Sequence, residues 1–192
     1  GGAVNLDLQI LELINLQWTH PWADQFFLFI TSVHKFWWVR YLVVPGLFFG
    51  ALWKFKGRAL IVFGALAVSI GVSDWVNHNV IKEAFARPRP FVSHSQIQNK
   101  LSYQPGGQSF PSSHAVNCMA AAAVLSVFAP AWTVALLVYA ALVGYSRPYL
   151  GVHYPSDVVA GWILGWLWGE LCIILIRRYQ PAWIPNKKRT RA

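Results

Sequence analysis

The chain has 192 residues, 56% hydrophobic and only 12% charged, and sixteen Lys and Arg against seven Asp and Glu give a formal net charge of +9. A soluble domain carries about 25% charged residues, so about half the charge needed to coat a water-facing surface is present. Eleven Trp, twelve Phe and seven Tyr suit bilayer interfaces. Disorder, a disulfide scaffold and an ordinary soluble enzyme are excluded, and a polytopic membrane protein is expected.

From the amino terminus, residues 6–16 and 22–33 are short apolar stretches that carry Asp7, Glu12 and Asp24. Leu6, Ile10, Leu13 and Ile14 recur at helical spacing, which predicts two amphipathic helices lying along the membrane interface. Pro21 and the charges stand against the alternative, one tilted crossing through both. Lys35 is the first basic residue, so no charged secretory leader is expected. Five stretches then approach the roughly 20 apolar residues that a crossing helix needs: 36–53, 59–81, 111–129, 132–150 and 158–176. Trp37, Trp38, Trp53 and Trp132 sit at their ends, as interfacial anchors do. The expected fold is all-α, a polytopic transmembrane helix bundle of five spans. Residues 1–35 form the interfacial helices, 36–180 the bundle and 181–192 a basic cytoplasmic tail.

Cys118 and Cys172 fall inside apolar runs without metal-ligand spacing and read as small buried hydrophobes; no metal and no cofactor are expected. The basic residues lie mostly between apolar segments, which argues against nucleic acid. Lys54, Lys56, Arg58, Arg177, Arg178, Lys187, Lys188, Arg189 and Arg191 share one side of the predicted bundle. The other side carries the remaining seven. The positive-inside rule puts the carboxyl terminus in the cytoplasm and the second side outside.

Three polar clusters interrupt the apolar chain. Lys82, Arg89 and Pro90 end the second span; Pro111, Ser112, Ser113 and His114 open the third; Ser146, Arg147, His153 and Asp157 link the fourth to the fifth. Counting crossings puts all three on one face. Lys82, Arg89 and Arg147 offer charge and guanidinium forks that match phosphate oxygens. Pro111 suits a helix start, whose free amides bind anions, and Ser112 and Ser113 add hydroxyls. His114 and His153 are candidates to attack phosphorus and to protonate a leaving alkoxide. Asp157, four residues after His153, can orient its imidazole.

Singly these residues have plainer readings: an interfacial histidine held by a carbonyl, a snorkelling Arg147, an Arg87 paired with Glu83 at helical spacing, surface roles for His20, His34 and His94. Together, on one face, they point to phosphoryl-transfer chemistry. Asp74, His78 and Lys82, at successive steps of four, form either a chain positioning Lys82 or a polar seam between helices. The small side chains of 120–123 allow close helix packing.

The clusters resemble the tripartite signature of the type 2 phosphatidic acid phosphatase superfamily: Lys, six residues, Arg-Pro; Pro-Ser-Gly-His; Ser-Arg, five residues, His, three residues, Asp. Lys82, Arg89-Pro90, Ser146-Arg147, His153 and Asp157 fit without gaps, and Ser113 stands where the family has Gly. The resemblance implies a six-helix core and a metal-independent phosphatase working through a phosphohistidine. It assigns His153 as nucleophile, Asp157 as its orienting partner and His114 as general acid, then base. Lys82, Arg89, Ser112, Ser113 and Arg147 are implied to cradle phosphate. The expected partner is a lipid phosphate in the bilayer: undecaprenyl pyrophosphate, phosphatidylglycerophosphate, phosphatidic acid or a lipid A phosphate. The expected setting is a bacterial inner membrane with the site on its outer face. A lipid phosphotransferase using the same intermediate, and a non-enzymatic anion-binding membrane protein, remain open alternatives. The stretch 91–110, with Gly106-Gly107, is long enough to cover the site.

Overall fold

The computed structural model describes residues 5–179, and every regular element among them is helical. The predicted basic tail therefore lies outside the described residues. α1 (Leu6–Glu12) begins at Asn5, whose Oδ1 accepts from the Leu8 amide at 3.3 Å, and runs into a π turn at Leu13–Gln17. α2 (Pro21–Ser32) starts at a proline, which lacks the amide that a first helical position leaves unbonded, with His20 Nδ1 accepting from the Trp22 amide at 3.2 Å. A π turn at Val39–Val43 leads into α3 (Val44–Phe55).

α4 (Gly57–Val76) passes through a π turn at Asn77–Ile81 into α5 (Lys82–Phe85), and Ala86, at φ 44°, ends the helix in the left-handed region. α6 (Pro90–Ser93) opens an irregular stretch that reaches α7 (Ser113–Phe128). α8 (Thr133–Tyr149) and α9 (Pro155–Tyr179) complete the described chain.

Each of the five expected spans coincides with a helix, but their lengths differ from the expectation. Gly57–Ser93 and Pro155–Tyr179 are long and apolar enough to cross a membrane, and the pair Pro21–Lys35 and Val39–Phe55, bent by 43°, makes a third if it crosses as one. α7 has 16 residues, about 24 Å at 1.5 Å per residue, against a hydrocarbon core of about 30 Å. α8 has 17 and carries Arg147 and Pro148 in its last turn. Hydropathy alone extended both spans into residues that the fold uses as loop and site.

α7 is the central helix, packed on α4, α8 and α9. Its small residues do allow close approach, and the partner is a glycine row on α9. A Cβ on Gly161 would stand 2.8 Å from Ala115 Cβ and 2.9 Å from the Ser112 carbonyl; one on Gly165 would collide with the Val116 carbonyl. Trp162, from the same helix, lies against Gly144 and donates to the Ala140 carbonyl at 3.2 Å, so it packs inside the bundle. Large apolar side chains remain exposed around the outside, among them Trp53 at 88%, Trp75 at 62% and Leu167 at 58%. Contiguous apolar surface on this scale is what a bilayer covers.

α1 is held by the protein. Leu11 is fully buried with Ile97 and Tyr154. The buried Asn15 side chain donates to the Gln98 and Tyr149 carbonyls at 3.0 and 2.9 Å and accepts from the Gln98 amide at 2.9 Å. Gly151, at φ 76°, completes this junction, because a side chain there would meet the Gln98 carbonyl.

Candidate active site

The three polar clusters converge. His78, Lys82, Arg89, Tyr103, Ser113, His114, Arg147 and His153 line one cavity of about 190 Å³, with 105–108 closing a side. Lys82 comes from α5, where the last helical turn aims Nζ at the carbonyls of Gln108 (2.8 Å) and Pro111 (2.9 Å). The Arg89 guanidinium holds the covering loop through Gly106 and Gly107 carbonyls at 3.0–3.2 Å and the Val152 carbonyl at 3.0 Å. Arg147 donates from Nη1 to Thr31 Oγ1 at 2.8 Å, and its Nε has no partner among the described residues.

All three cations are buried, at 6%, 9% and 3% exposure. Among the described residues, none of them forms a salt bridge with a carboxylate. Buried charges are normally paired, because moving an ion out of water is costly. Three such cations facing one small cavity make it complementary to an anion.

His153 sits where the third cluster leaves α8, 3% exposed, with Nε2 3.2 Å from Arg89 Nη1. A guanidinium can only donate, so this contact assigns the lone pair to Nε2 and the proton to Nδ1. That proton faces Asp157 Oδ2 at 3.5 Å, longer than a good hydrogen bond. Burial, with Arg147, Arg89 and Lys82 close by, pushes the His153 imidazole well below its usual value, which agrees with a neutral ring. Asp157 lies behind His153, fully buried in the first turn of α9, and accepts from the Tyr154 amide at 2.9 Å.

His114, in the first turn of α7, lines the same cavity, with the His34 ring edge-on at 5.5 Å between centroids. Ser113 Oγ accepts from Asn77 Nδ2 at 2.8 Å, so the hydroxyl that replaces the family's usual glycine is tied to the π turn after α4. Ser112 does not line the cavity. Its Oγ is buried without a partner among the described residues, and its amide donates to the Asp157 carbonyl at 3.0 Å, tying α7 to α9.

One expectation needs correction. Arg87 pairs with Asp157 (2.7 Å) and Asp7 (2.6 Å), not with Glu83. Helical spacing ceases at Ala86, so a four-residue step from Glu83 no longer joins neighbours. Asp74 accepts from Asn117 Nδ2 on α7 at 3.2 Å, which is the polar seam between helices, the second of the two readings given for Asp74, His78 and Lys82. Residues that the sequence did not single out include Thr31, Asn77, Tyr103 and Asp7. Each acts through a partner 36 to 149 positions away, and a single sequence carries no signal for such pairs.

Comparison with known proteins agrees with this arrangement. A family model described as the PAP2 superfamily matches residues 58–181. An undecaprenyl-diphosphatase of Sulfolobus acidocaldarius is 38% identical over 57% of this chain and 50% of its own, so the chain spans about half that relative's length. A lipid A 4'-phosphatase of Porphyromonas gingivalis is 30% identical over 86% of this chain and 71% of that protein. Among solved structures, a transmembrane PAP2-type phosphatidylglycerolphosphate phosphatase of Bacillus subtilis superposes with a TM-score of 0.70 at 24% identity, covering 91% of this chain and 86% of that one; it shares the fold. A matched segment that begins at α4 and holds all three polar clusters makes this chain a member of the PAP2 superfamily.

Proposed function

We propose that this protein is an integral membrane lipid phosphatase that hydrolyses a phosphomonoester or pyrophosphate headgroup through a phosphohistidine on His153. The observation that carries the reading is the cavity itself: three buried cations that form no salt bridge among the described residues, gathered around the buried His153 imidazole, whose Nε2 lies 3.2 Å from Arg89 Nη1. The names of the relatives, undecaprenyl-diphosphatase and lipid A 4'-phosphatase, support a lipid phosphate as substrate. Undecaprenyl pyrophosphate, phosphatidylglycerophosphate, phosphatidic acid and lipid A phosphates are the candidates.

In the proposed reaction Lys82, Arg89 and Arg147 bind the phosphoryl oxygens and stabilise charge as it shifts toward them. His153 Nε2 forms a bond to phosphorus as the bond to the lipid oxygen breaks. His114 delivers the proton that the departing oxygen needs. Asp157 holds the Nδ1–H side and stabilises the ring as it becomes cationic. A water then gives its proton to His114 and attacks phosphorus, breaking the N–P bond and releasing inorganic phosphate. The three cations supply the charge, so no metal is required. Apolar outer surfaces support a membrane location, and the distribution of basic residues supports a cavity on the outer face of a bacterial plasma membrane with a cytoplasmic carboxyl terminus.

The test is phosphate release by the purified protein from those four lipids in detergent with EDTA and no added acceptor. Turnover of at least one lipid that disappears in His153→Ala is expected. Turnover that requires a metal, or that persists in His153→Ala, would overturn the proposal.

A further inference from the structure

One heavily bonded side chain behind the cavity belongs to none of the assigned groups. Arg87 Nη1 donates to Asp157 Oδ1 at 2.7 Å and to Ser156 Oγ at 2.8 Å, while Nη2 donates to Asp7 Oδ2 at 2.6 Å. Its guanidinium carbon lies 3.7 Å over the Tyr154 ring, which fixes the plane of the fork. Asp7 in turn accepts from the Ser156 amide at 2.9 Å and from the Ser156 hydroxyl. An α1 carboxylate thus serves the free Ser156 amide at the start of α9, the helix that carries Asp157.

We propose that Arg87 is a positioning residue for the reaction, holding Asp157 in register with His153, and that Asp7 completes this clamp from outside the family-matched segment. Asp157 has two oxygens with separate tasks. Oδ2 faces His153 Nδ1 and the Tyr154 amide; Oδ1 is taken by Arg87. A fully buried carboxylate stays charged only with a strong partner, and the fork supplies that partner while preventing rotation about the carboxyl axis. Arg87 does not line the phosphate cavity, so its effect passes through Asp157. Asp7 anchors the far end of the fork, and α1 is in turn fixed by buried Leu11 and Asn15. The amino-terminal helix is then part of the catalytic apparatus, although the matched region begins only at residue 58.

This inference rests on the proposed phosphatase reading, and the experiment separates the two. Wild type, His153→Ala, Arg87→Gln, Arg87→Lys, Asp7→Asn and the Asp7→Asn/Arg87→Gln pair are assayed for phosphate release, for inhibition by inorganic phosphate and for thermal unfolding. Loss of an orienting partner of this kind costs about 10- to 100-fold. Arg87→Gln is expected to lower kcat by about that factor while KM and the inhibition constant for phosphate change less than about twofold. Arg87→Lys, which keeps the cation but cannot bridge both carboxylates, is expected to fall between. Asp7→Asn is expected to lower kcat about 3- to 10-fold, and adding it to Arg87→Gln to cost nothing further, since the two act as one unit.

A merely structural role predicts losses that multiply in the double variant and track the fall in unfolding temperature, and that result overturns the clamp. So does an Arg87→Gln or Asp7→Asn enzyme within twofold of wild type while His153→Ala is inactive. If Arg87→Gln does not fold, Asp7→Asn alone decides. Retained turnover in His153→Ala instead overturns the phosphatase reading itself.

Discussion

Replacing Arg147 by Met separates stability from activity, and the structure sets both signs. Arg147 is buried at 3% exposure, with Thr31 Oγ1 as its hydrogen-bond partner and Nε unsatisfied. A buried donor without a partner costs about 1–3 kcal/mol, and apolar replacement of buried ionic groups is often neutral or stabilising by about 1–4 kcal/mol. Against this, Thr31 loses its partner, a loss of about 1 kcal/mol, part of which a bond to its own helix backbone can recover. The net expectation for Arg147→Met is a gain of about 1 kcal/mol, or an unfolding midpoint higher by about 2–4 °C. Catalysis moves the other way, because one charge on the transferring phosphoryl group is lost, a change of about 100- to 1,000-fold in kcat. Thermal unfolding in detergent with and without inorganic phosphate reads both. Phosphate at 100 times its Kd stabilises wild type by about 2.7 kcal/mol, and the variant should gain far less. A variant less stable than wild type by more than about 1 kcal/mol, with an undiminished phosphate shift, refutes the reasoning.

Other consequences follow from the same geometry. Arg89→Lys keeps the charge but cannot reach the loop carbonyls at 106–107 and His153 together; losing two charge-assisted bonds at about 1.5–3 kcal/mol each should lower kcat/KM more than 30-fold, and near-normal kcat/KM would show that charge alone suffices. Gly165→Val must push α9 off the Val116 carbonyl, so it should remove most folded, active enzyme from the membrane fraction, and wild-type yield and activity would contradict the packing. The His153 imidazole is depressed by burial and by Arg147, Arg89 and Lys82; its free-enzyme proton is therefore shed below the ordinary value of about 6.5. The acid limb of kcat/KM should accordingly fall below pH 6.5, with the nucleophile lost only as pH drops further. A limb at or above that value, assigned to His153 by its absence in a His153 variant with residual activity, would sink this point.

Much of the site was legible because its chemistry is concentrated in three short clusters. The spacing of Lys82 and Arg89, the helix-opening Ser112, Ser113 and His114, and the turn from Arg147 to Asp157 all appear in one sequence. Counting helical passages was enough to bring them together, and five of these side chains plus Ser113 and His114 meet or back one cavity. Ser112 is the exception, buried under the α7–α9 junction. Local irregularities hid the remainder. Ala86 in the left-handed region ends the helical register before Arg87, so its partners are not at helical spacing. The lengths of α7 and α8 were overestimated because apolar residues continue into the loop and site. The glycine row on α9 is not legible in the sequence, because Gly161, Gly165 and Gly169 gain meaning only from the α7 residues that they face, Ala115, Val116 and Ala123.

The central claim concerns one bond, between His153 Nε2 and phosphorus. Enzyme mixed with a lipid labelled in its terminal phosphate, quenched in alkali within the first turnover and digested to peptides, should carry the label on the segment containing His153, in an acid-labile and base-stable form. His114→Ala, which lacks the acid of the first step and the base of the second, should both gain and lose that label more slowly than wild type. Phosphate released without any labelled histidine, or label on a residue other than His153, would contradict the account.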